Sequence, residues 1–381
     1  MRKNPIVYIT KDKERAEGLE ESSDYFIISG NGERDTLTLL NDKDVQKKIK
    51  DTNAEILVFK NTVQIEEVVK KNKFKLLNPS ATLAEKIENK ISQASWLHEL
   101  SYLLPPHEIV LVKNLKENQI KSIPKKKPFI LQWAHSHTGD GTLYIENEKR
   151  IRDLKDKFGE REAKISEYIR GPVFTVNIVV AKNSILIGNI SYQITGISPF
   201  TENIFSTIGN DWSLPHTILT EKNIEEIKKI ANLIGEKMKK SGWKGLFGID
   251  VIHDEERDKI FLIEINARQP ASTTFESVLQ DKIRTDGIPG ITIFEAHISA
   301  LRDSPLENSL IEINDGAQIV QRVTKEKNKL DPEKLVDLGY KVLIYKNIKI
   351  NSDLARIQST KGIMEAHNKF NNRGKEIKEK I

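Results

Sequence analysis

The segment Gly245–Ser272 reads GLFGIDVIHDEERDKIFLIEINARQPAS. Its two apolar stretches, Leu246–Ile252 and Ile260–Asn266, alternate as strands do, and the charged residues 253–259 between them are typical of a solvated loop. This arrangement predicts a β-hairpin. Such a hairpin offers one face to a hydrophobic core and the other to polar side chains.

One face of the predicted hairpin carries two acids and an amide. With the turn centred on Glu256, Asp250 lies opposite Leu262 and diagonal to Glu264, and Asn266 follows on the same face. A buried carboxylate must be paired, hydrogen-bonded or bound to a metal ion, and Mg²⁺ prefers oxygen ligands. The pattern therefore predicts a metal site at Asp250, Glu264 and Asn266. The alternative is an ordinary half-exposed hairpin whose polar face meets water.

The hairpin also predicts where its core residues and one further charge lie. The opposite face should be core and carries Ile249, Val251, Ile263 and Ile265. Arg268 comes two residues after Asn266 and projects toward the acidic side if the strand continues. There its guanidinium could neutralise a phosphate or a carboxylate.

Composition limits the class of protein. The chain has 381 residues, of which 38% are hydrophobic and 30% charged, with a net charge of +5, and this length suggests about two to three domains. It has no cysteine, which excludes disulfides, thiolate metal sites and cysteine nucleophiles and favours the cytoplasm. No apolar run approaches the ~20 residues of a membrane span, and the start, MRKNPIVYIT, lacks the apolar core of a secretory signal.

The charge pattern argues against a nucleic-acid partner. The densest basic stretch, Lys121–Lys127, is typical of a solvated loop, whereas nucleic-acid binders concentrate basic residues on one face. Neither nucleic acid nor a membrane is therefore expected as a partner.

The N-terminal residues 1–82 alternate strand and helix signals, which predicts a parallel sheet with helical crossovers. The strand signals are Ile6–Thr10, Tyr25–Ser29, Ile56–Phe59 and Lys75–Leu77. The helix signals are Lys11–Glu21, Asp44–Lys50 and Ile65–Lys71.

The remaining chain mixes helices with antiparallel strand signals. Helices are predicted over Leu83–Leu100, Ile151–Phe158, Ile224–Lys240, 291–301 and Pro332–Leu338. Outside the hairpin, strands are predicted at Ile109–Val112, Phe129–Trp133, Leu143–Ile145, Lys164–Ile169, Thr175–Ala181, Ala317–Val323, Tyr340–Tyr345 and Ala355–Gln358. Residues 184–220 look β-rich.

The hairpin resembles that of the ATP-grasp superfamily, in its carboxylate–amine ligase and carboxylase-like branch. Asp250, Glu264 and Asn266 fall on the family's three Mg²⁺ positions, and EINAR (Glu264–Arg268) is similar to the segment that carries an active-site arginine. The resemblance covers Leu83 to Leu301. It implies a fold class of α/β and α+β, in three parts: an N-terminal pre-ATP-grasp domain (1–82), an ATP-grasp domain (83–305) with a mobile lid (about 108–168), and a small β-rich α+β extension (306–381).

The resemblance also implies nucleotide-binding residues. Lys90 corresponds to a phosphate-contacting lysine, and Gln132 stands where the lid strand usually ends in another. The loop Ser136–Thr142 resembles the lid loop over the phosphates, with Thr138, Gly139, Gly141 and Thr142 as its contacts. Glu167 is similar to an acid near the adenine, with Tyr168 and Ile169 as backbone contacts. Two positions depart from the pattern: Gln132 supplies no charge, and Val173 stands where many ligases have a ribose-binding glutamate.

Other candidate residues are less specific. Gln193, Thr195 and Asp211 are candidate contacts for the acceptor substrate, with purely structural roles as the alternative. His135 and His137 alternate, but no third metal ligand is evident, so a second metal site is not expected.

The implied activity is that of an ADP-forming ligase. With ATP and Mg²⁺ as cofactors (Mn²⁺ could replace Mg²⁺), a small-molecule carboxylate becomes an acyl phosphate that an amine or thiol of a small metabolite, amino acid or peptide then attacks. Arg268 and Asn266 are the expected catalytic residues. A carboxylase, a kinase-like phosphotransferase and a non-catalytic nucleotide-binding scaffold remain alternatives. Residues 306–381 either complete the active site or form the surface of a homodimer.

Overall fold

The N-terminal part of the chain forms a four-stranded parallel sheet. The computed structural model describes residues 3–115, 128–134, 141–285, 287–306, 308–325 and 330–381. The strands of this sheet are β1 (Ile6–Thr10), β2 (Tyr25–Ser29), β3 (Glu55–Val58) and β4 (Lys75–Leu76), in the order β2-β1-β3-β4. The connecting helices are α1 (Thr36–Asn41), α2 (Lys43–Thr52) and α3 (Val63–Lys71). The parallel sheet with helical crossovers is confirmed.

The helix predicted over Lys11–Glu21 is wrong, because the segment forms only a 3₁₀ turn at Lys13–Arg15. Its few apolar residues make no continuous stripe, so a helix there would have no face to bury. The segment instead packs closely: a Cβ on Gly18 would come within 2.7 Å of the Phe294 ring. This close packing forms a loop that carries Arg15 to the edge of the cavity described below.

The single helix predicted over Leu83–Leu100 is two helices, α4 (Ala81–Glu88) and α5 (Lys90–Leu97), followed by a 3₁₀ turn. Asn89 separates them, because its side chain accepts hydrogen bonds from the backbone N–H groups of Ile91 and Ser92 and so caps α5. The break places Lys90 at the start of α5, where its backbone N–H donates to the carbonyl of Ala134 over 2.9 Å.

In the described part of residues 108–168, the lid consists of an antiparallel sheet and a helix. Its elements are β5 (His107–Leu111), β6 (Phe129–Trp133), β7 (Thr142–Ile145), α6 (Glu148–Phe158) and β8 (Glu162–Glu167), with the strand order β5-β8-β6-β7. One face has a core of its own, which includes Phe129, Leu131, Trp133, Ala163 and Ile165. The alternate residues Ile130, Gln132, Lys164 and Ser166 line the cavity on the other face.

The body is built on an eight-stranded sheet. Its first elements are β9 (Val173–Val180), β10 (Ile185–Thr195), β11 (Thr207–Asp211), α7 (Pro215–Ile218), α8 (Glu221–Lys240), β12 (Gly245–Asp254), β13 (Lys259–Asn266), α9 (Thr273–Thr285) and α10 (Ile293–Leu301). The amphipathic helix α8 buries Ile227, Ile230 and Ile234 in the main core. Sequence patterning missed α9, because it points polar Glu276 and Gln280 inward and both are fully buried.

The C-terminal strands extend this same sheet. They are β14 (Ala317–Arg322), β15 (Lys341–Ile344) and β16 (Asp353–Ser359), and the full order is β13-β12-β9-β10-β11-β14-β16-β15. The remaining elements are α11 (Pro332–Asp337), β17 (Met364–Ala366), β18 (Lys369–Phe370) and α12 (Asn372–Lys378). The domain boundaries drawn at 82 and 305 stay predictions, and residues from both sides of the second one line the cavity.

The hairpin of β12 and β13 is confirmed, but the predicted register is wrong. Asp250 pairs directly with Glu264, and a bulge before Val251 makes that residue pair with Leu262. The bulge turns Ile263 toward the cavity and Leu262 into the core, the reverse of the expectation for Ile263. The two carboxylates are therefore closer neighbours than a diagonal pair would be.

Within the described ranges, no helix combines the length and apolarity that crossing a bilayer requires.

Candidate active site

A cavity of about 620 Å³ lies where the lid, the hairpin, the C-terminal strands and the loop with Arg15 meet. Most of the predicted site residues line it: Lys90, Gln132, Thr142, Glu167, Tyr168, Ile169, Asp250, Glu264, Asn266 and Arg268. Thr138 and Gly139, like His135 and His137, lie outside the described residues. Gly141 is described but is not part of the lining, and its carbonyl accepts a hydrogen bond from the Trp133 backbone. The functional roles of all these residues stay predictions.

The floor of the cavity is the acidic face of the hairpin. Thr175 Oγ1 donates to Asp250 Oδ1 over 2.7 Å, and Asn266 Nδ2 donates to Asp250 Oδ2 over 3.2 Å. Gln193 Nε2 donates in turn to Thr175 Oγ1 over 3.1 Å. These contacts hold the Asp250 carboxylate in one orientation beside Glu264.

The pKa values of the two carboxylates are shifted in opposite directions. Burial and the neighbouring charge of Glu264 raise the pKa of Asp250 from 3.8 to about 6. Burial acts in the same direction on Glu264, but the charges of Lys90 and Arg268 outweigh it and hold the pKa of Glu264 below its usual range. Near neutral pH the cavity floor therefore carries two negative charges, and Asp250 is the one closer to protonation.

Cations surround the acidic floor. Lys90 is 2% exposed and its Nζ lies 2.6 Å from Glu264 Oε1. Glu88 forms ion pairs with Arg268 and with Lys60, the latter over 2.6 Å between Lys60 Nζ and Glu88 Oε2. Arg268 therefore lies on the acidic side, as the sequence predicted, with a carboxylate partner that orients it.

The lid contributes one buried cation that sequence reasoning missed. Lys164 lines the cavity and is 2% exposed. Burial and the charge of Lys90 lower the pKa of Lys164 to about 7, while Glu264 acts in the opposite direction. The signal in the sequence was a lysine between Ala163 and Ile165, at an alternate position of a strand whose other face is apolar.

One side of the cavity is apolar and suits a flat ring. Ile169, Val173, Ile252 and Ile263 line it together, and Tyr168 packs against Tyr144 with ring centroids 4.9 Å apart. Glu167 lies beside this region, where it accepts hydrogen bonds of 3.0 Å from both terminal nitrogens of Arg257. The acid expected near an adenine thus already has a cationic partner in the hairpin turn.

The C-terminal strands bring a second charged cluster into the lining. Arg322 and Arg356 both contact Asp353, the latter over 3.3 Å, and Arg15 approaches Asp353 from the N-terminal loop at 3.4 Å. Burial of Asp353 is outweighed by these arginines, which keep its pKa below the usual value. The three guanidiniums around one aspartate form a positively charged wall. The sequence signal was an arginine inside each of two buried strands.

The three acceptor contacts suggested by the sequence have different positions. Gln193 and Thr195 line the cavity. Asp211 does not belong to the lining: it is fully buried and accepts hydrogen bonds from the backbone N–H groups of Ser213, Leu214, Ile363 and Met364. Asp211 thus anchors two backbone segments, which is the structural alternative considered for it.

The donor set on the cavity floor suits a hard divalent cation. Asp250 and Glu264 offer carboxylate oxygens, and a rotation of the Asn266 amide would offer a third oxygen. No cluster of three or more acidic, histidine or cysteine ligands occurs in the part of the chain that the structure describes. A cation with only these protein ligands would need further oxygens from a phosphate or water, as Mg²⁺ commonly does.

Comparison with known proteins adds a family and a fold. Residues 87–272 match the family model of an ATP-grasp domain, which confirms the resemblance predicted from the hairpin. No curated protein matches the chain.

Several solved structures share the fold. N5-carboxyaminoimidazole synthetase from Staphylococcus aureus, complexed with ADP, has a TM-score of 0.68 and 14% identity and covers 99% of this chain and 96% of its own. N5-carboxyaminoimidazole synthase from Aspergillus clavatus, in complex with ADP and 5-aminoimidazole ribonucleotide, has a TM-score of 0.62 and 15% identity and covers 93% and 87%. L-amino acid ligase from Bacillus licheniformis has a TM-score of 0.61 and 12% identity and covers 95% and 94%. The predicted α/β and α+β fold class is confirmed.

Proposed function

We propose that this chain, whose residues 87–272 form an ATP-grasp domain, is an ATP-dependent, ADP-forming ligase. It activates a carboxylate as an acyl phosphate, which an amine or a thiol then attacks. The substrates are small metabolites, amino acids or peptides. The cytoplasm remains the expected compartment, and a homodimer remains one option for its assembly.

The observation that carries this proposal is the cavity floor, where the acidic face of the hairpin meets the start of α5. Asp250 and Glu264 are paired across the two strands, and Lys90 contacts Glu264 from the start of α5. Acids and cations held together in a buried cavity are the arrangement that phosphoryl transfer uses, because its catalysis depends on positioning and charge neutralisation.

In this proposal the residues of the cavity bind different parts of the nucleotide and its cation. Asp250, Glu264 and the Asn266 amide would hold Mg²⁺, which supplies charge neutralisation at the phosphates when it is bound. Lys90 already lies at the edge of this site and would contact phosphate oxygens once Glu264 turns to the cation. The apolar side with Tyr168 and Ile169 would take the adenine. The neighbouring ADP-bound structures from Staphylococcus aureus and Aspergillus clavatus support the choice of nucleotide.

Arg268 would act on the reacting carboxylate. Glu88 orients its guanidinium, and a guanidinium binds two oxygens of a carboxylate or phosphate at once. In this position Arg268 would stabilise the negative oxygens that develop as the acyl phosphate forms and as the nucleophile attacks. Closure of the lid would keep water away from this intermediate.

The cluster of Arg15, Arg322 and Arg356 specifies the substrate further. Its three positive charges exceed the negative charges of Asp353 and of Glu14, which lies 3.2 Å from Arg15, and all three arginines line the cavity. A substrate that reaches this wall therefore carries an anionic group, a carboxylate or a phosphate, in addition to the reacting carboxylate or amine. In this proposal residues 306–381 complete the active site.

A screen for products tests the proposed function. The protein is incubated with Mg²⁺, ATP and pools of amino acids, small peptides and organic acids, and ADP and new masses are measured together. We expect ADP and a product that is one water lighter than the sum of two substrates. At least one of those substrates should bear the extra anionic group.

Two variants relate this activity to the cavity floor. Asp250→Asn removes one floor charge and should abolish ADP formation, whereas Glu256→Gln, an exposed change in the hairpin turn, should leave it intact. ADP without a condensed product would instead indicate carboxylation or kinase-like chemistry. Absence of ADP formation with every pool, together with weak binding of ATP and Mg²⁺, would contradict the proposal and favour the non-catalytic nucleotide-binding scaffold.

A further inference from the structure

The lid lacks a lysine at position 132 but has one on the neighbouring strand. In the β6–β8 pair, Gln132 lies directly opposite Lys164. Residues directly opposite each other in an antiparallel pair project to the same face of the sheet, and both of these line the cavity. The ammonium group of Lys164 can therefore enter the part of the cavity that Gln132 lines.

The surroundings of Lys164 favour an anion as its partner. The side chain is almost completely buried, and among the described residues its charged neighbours are Lys90 and Glu264. Glu264 is already engaged by Lys90 over 2.6 Å. A buried lysine near another lysine is costly, and a polyanion in the cavity would remove that cost.

Gln132 complements this arrangement without supplying charge. Its Nε2 lies 3.4 Å from the Thr142 hydroxyl on β7, so the glutamine bridges the strand that enters the lid loop and the strand that leaves it. The amide can donate to a phosphate oxygen, but it cannot neutralise one.

We propose that Lys164 is the lid residue that binds the phosphates of the bound nucleotide. The phosphate-binding lysine then stands at position 164 on β8 instead of at position 132 on the neighbouring strand β6. This inference rests on the proposed nucleotide-dependent function. It assigns Lys164 as a nucleotide-binding residue and explains how the site binds phosphate with glutamine at position 132.

Equilibrium binding of ADP, AMP and adenosine in the presence of Mg²⁺ tests the assignment without any need for the substrates. Lys164→Gln should weaken ADP binding about 10- to 100-fold, as expected for loss of a charge-assisted hydrogen bond. Its effect on adenosine should be negligible. The double variant Gln132→Lys/Lys164→Gln returns the cation to position 132 and should recover most of the lost ADP affinity.

Matched variants separate a binding role from a structural one. Lys157→Gln changes an exposed lysine on α6 and should leave ADP affinity intact, and Lys164→Arg keeps the charge and should retain most of the affinity. Lys164→Met should preserve or raise the melting temperature, because it removes a buried charge. It should nevertheless bind ADP as weakly as the glutamine variant.

Three results would contradict the assignment and leave the proposed function standing. Lys164→Gln could keep the wild-type affinity for ADP, or it could lose ADP and adenosine binding equally. The double variant could also bind ADP as weakly as Lys164→Gln does. If the wild-type protein binds no ADP at all, the proposed function fails as well. The two failures are therefore distinguishable.

Discussion

Replacement of Asp250 by asparagine should stabilise the nucleotide-free protein while it destroys the predicted cation site. The carboxylate is 6% exposed and faces Glu264 across the hairpin. Asparagine can keep both of its hydrogen bonds: Thr175 can donate to the amide oxygen, and Asn266 can turn its own amide to present an oxygen. The substitution therefore removes a charge and changes little else.

The size of the effect follows from the pKa. Asp250 moves from 3.8 in its reference state to about 6 in the fold, and each pKa unit corresponds to about 1.4 kcal/mol. Between pH 4 and pH 6 the native state binds the Asp250 proton more tightly than the unfolded chain does, so wild-type stability falls as the pH rises through this window. The benefit of asparagine should grow from near zero at pH 4 to about 3 kcal/mol at pH 8.

Urea unfolding at pH 4.5 and pH 8, with a chelator and no nucleotide, measures this difference through the fluorescence of the four tryptophans. Glu256→Gln in the exposed turn serves as the control and should follow the wild-type pH profile. The reasoning fails if Asp250→Asn is less stable than wild type at pH 8, or if its advantage does not change with pH. The same variant should also lose the thermal stabilisation that Mg²⁺ and ADP give to the wild type.

Two further predictions concern stability away from the cavity floor. Burial lowers the pKa of His297 to about 3, so the unfolded state binds its proton more tightly below pH 6.5 and stability falls as the pH drops. His297→Asn keeps an acceptor for the Leu246 backbone N–H. Urea unfolding between pH 6.5 and pH 4.5 should show that the variant's free energy of unfolding depends less steeply on pH, by up to about 1.4 kcal/mol per pH unit. An unchanged slope would contradict a buried neutral histidine. Gly171→Ala should cost about 2–4 kcal/mol, because φ is +153° and a Cβ would lie 1.9 Å from the His253 carbonyl oxygen. Gly242→Ala is the control, with φ at +87° and no atom within 4 Å, and should cost about 1–2 kcal/mol; equal melting temperatures for the two variants would refute the steric argument.

The hairpin was predictable because its information is local. Two apolar strands joined by a charged turn determine one another's pairing, and alternation places Asp250, Glu264 and Asn266 on one face. The bulge was not predictable, since one extra residue in a strand leaves the pattern of apolar residues nearly unchanged. It decided that Ile263 lines the cavity and that the two carboxylates are direct neighbours.

The cations that the sequence analysis missed were less predictable, because they come together from distant parts of the chain. Lys164 is opposite Gln132 only once the lid strands have paired, and Arg15, Arg322 and Arg356 meet only through the joined sheet and the N-terminal loop. A lysine or arginine within a strand is usually read as solvent-exposed. The tertiary fold buries Lys164, Arg322 and Arg356 at the cavity, and it leaves Arg15 half-buried on the N-terminal loop.

The opposite pKa shifts of Asp250 and Lys164 have a common cause and a common consequence. Burial disfavours the charged form of each, which raises the pKa of the acid to about 6 and lowers that of the lysine to about 7. Among the described residues, neither group has a full partner of opposite charge, because Lys90 and Glu264 are paired with each other. A divalent cation would favour the charged form of Asp250, and a phosphate chain would do the same for Lys164. In the proposed function, the burial that destabilises the free protein would therefore also be a source of selectivity, because a ligand that brings both charges relieves both groups.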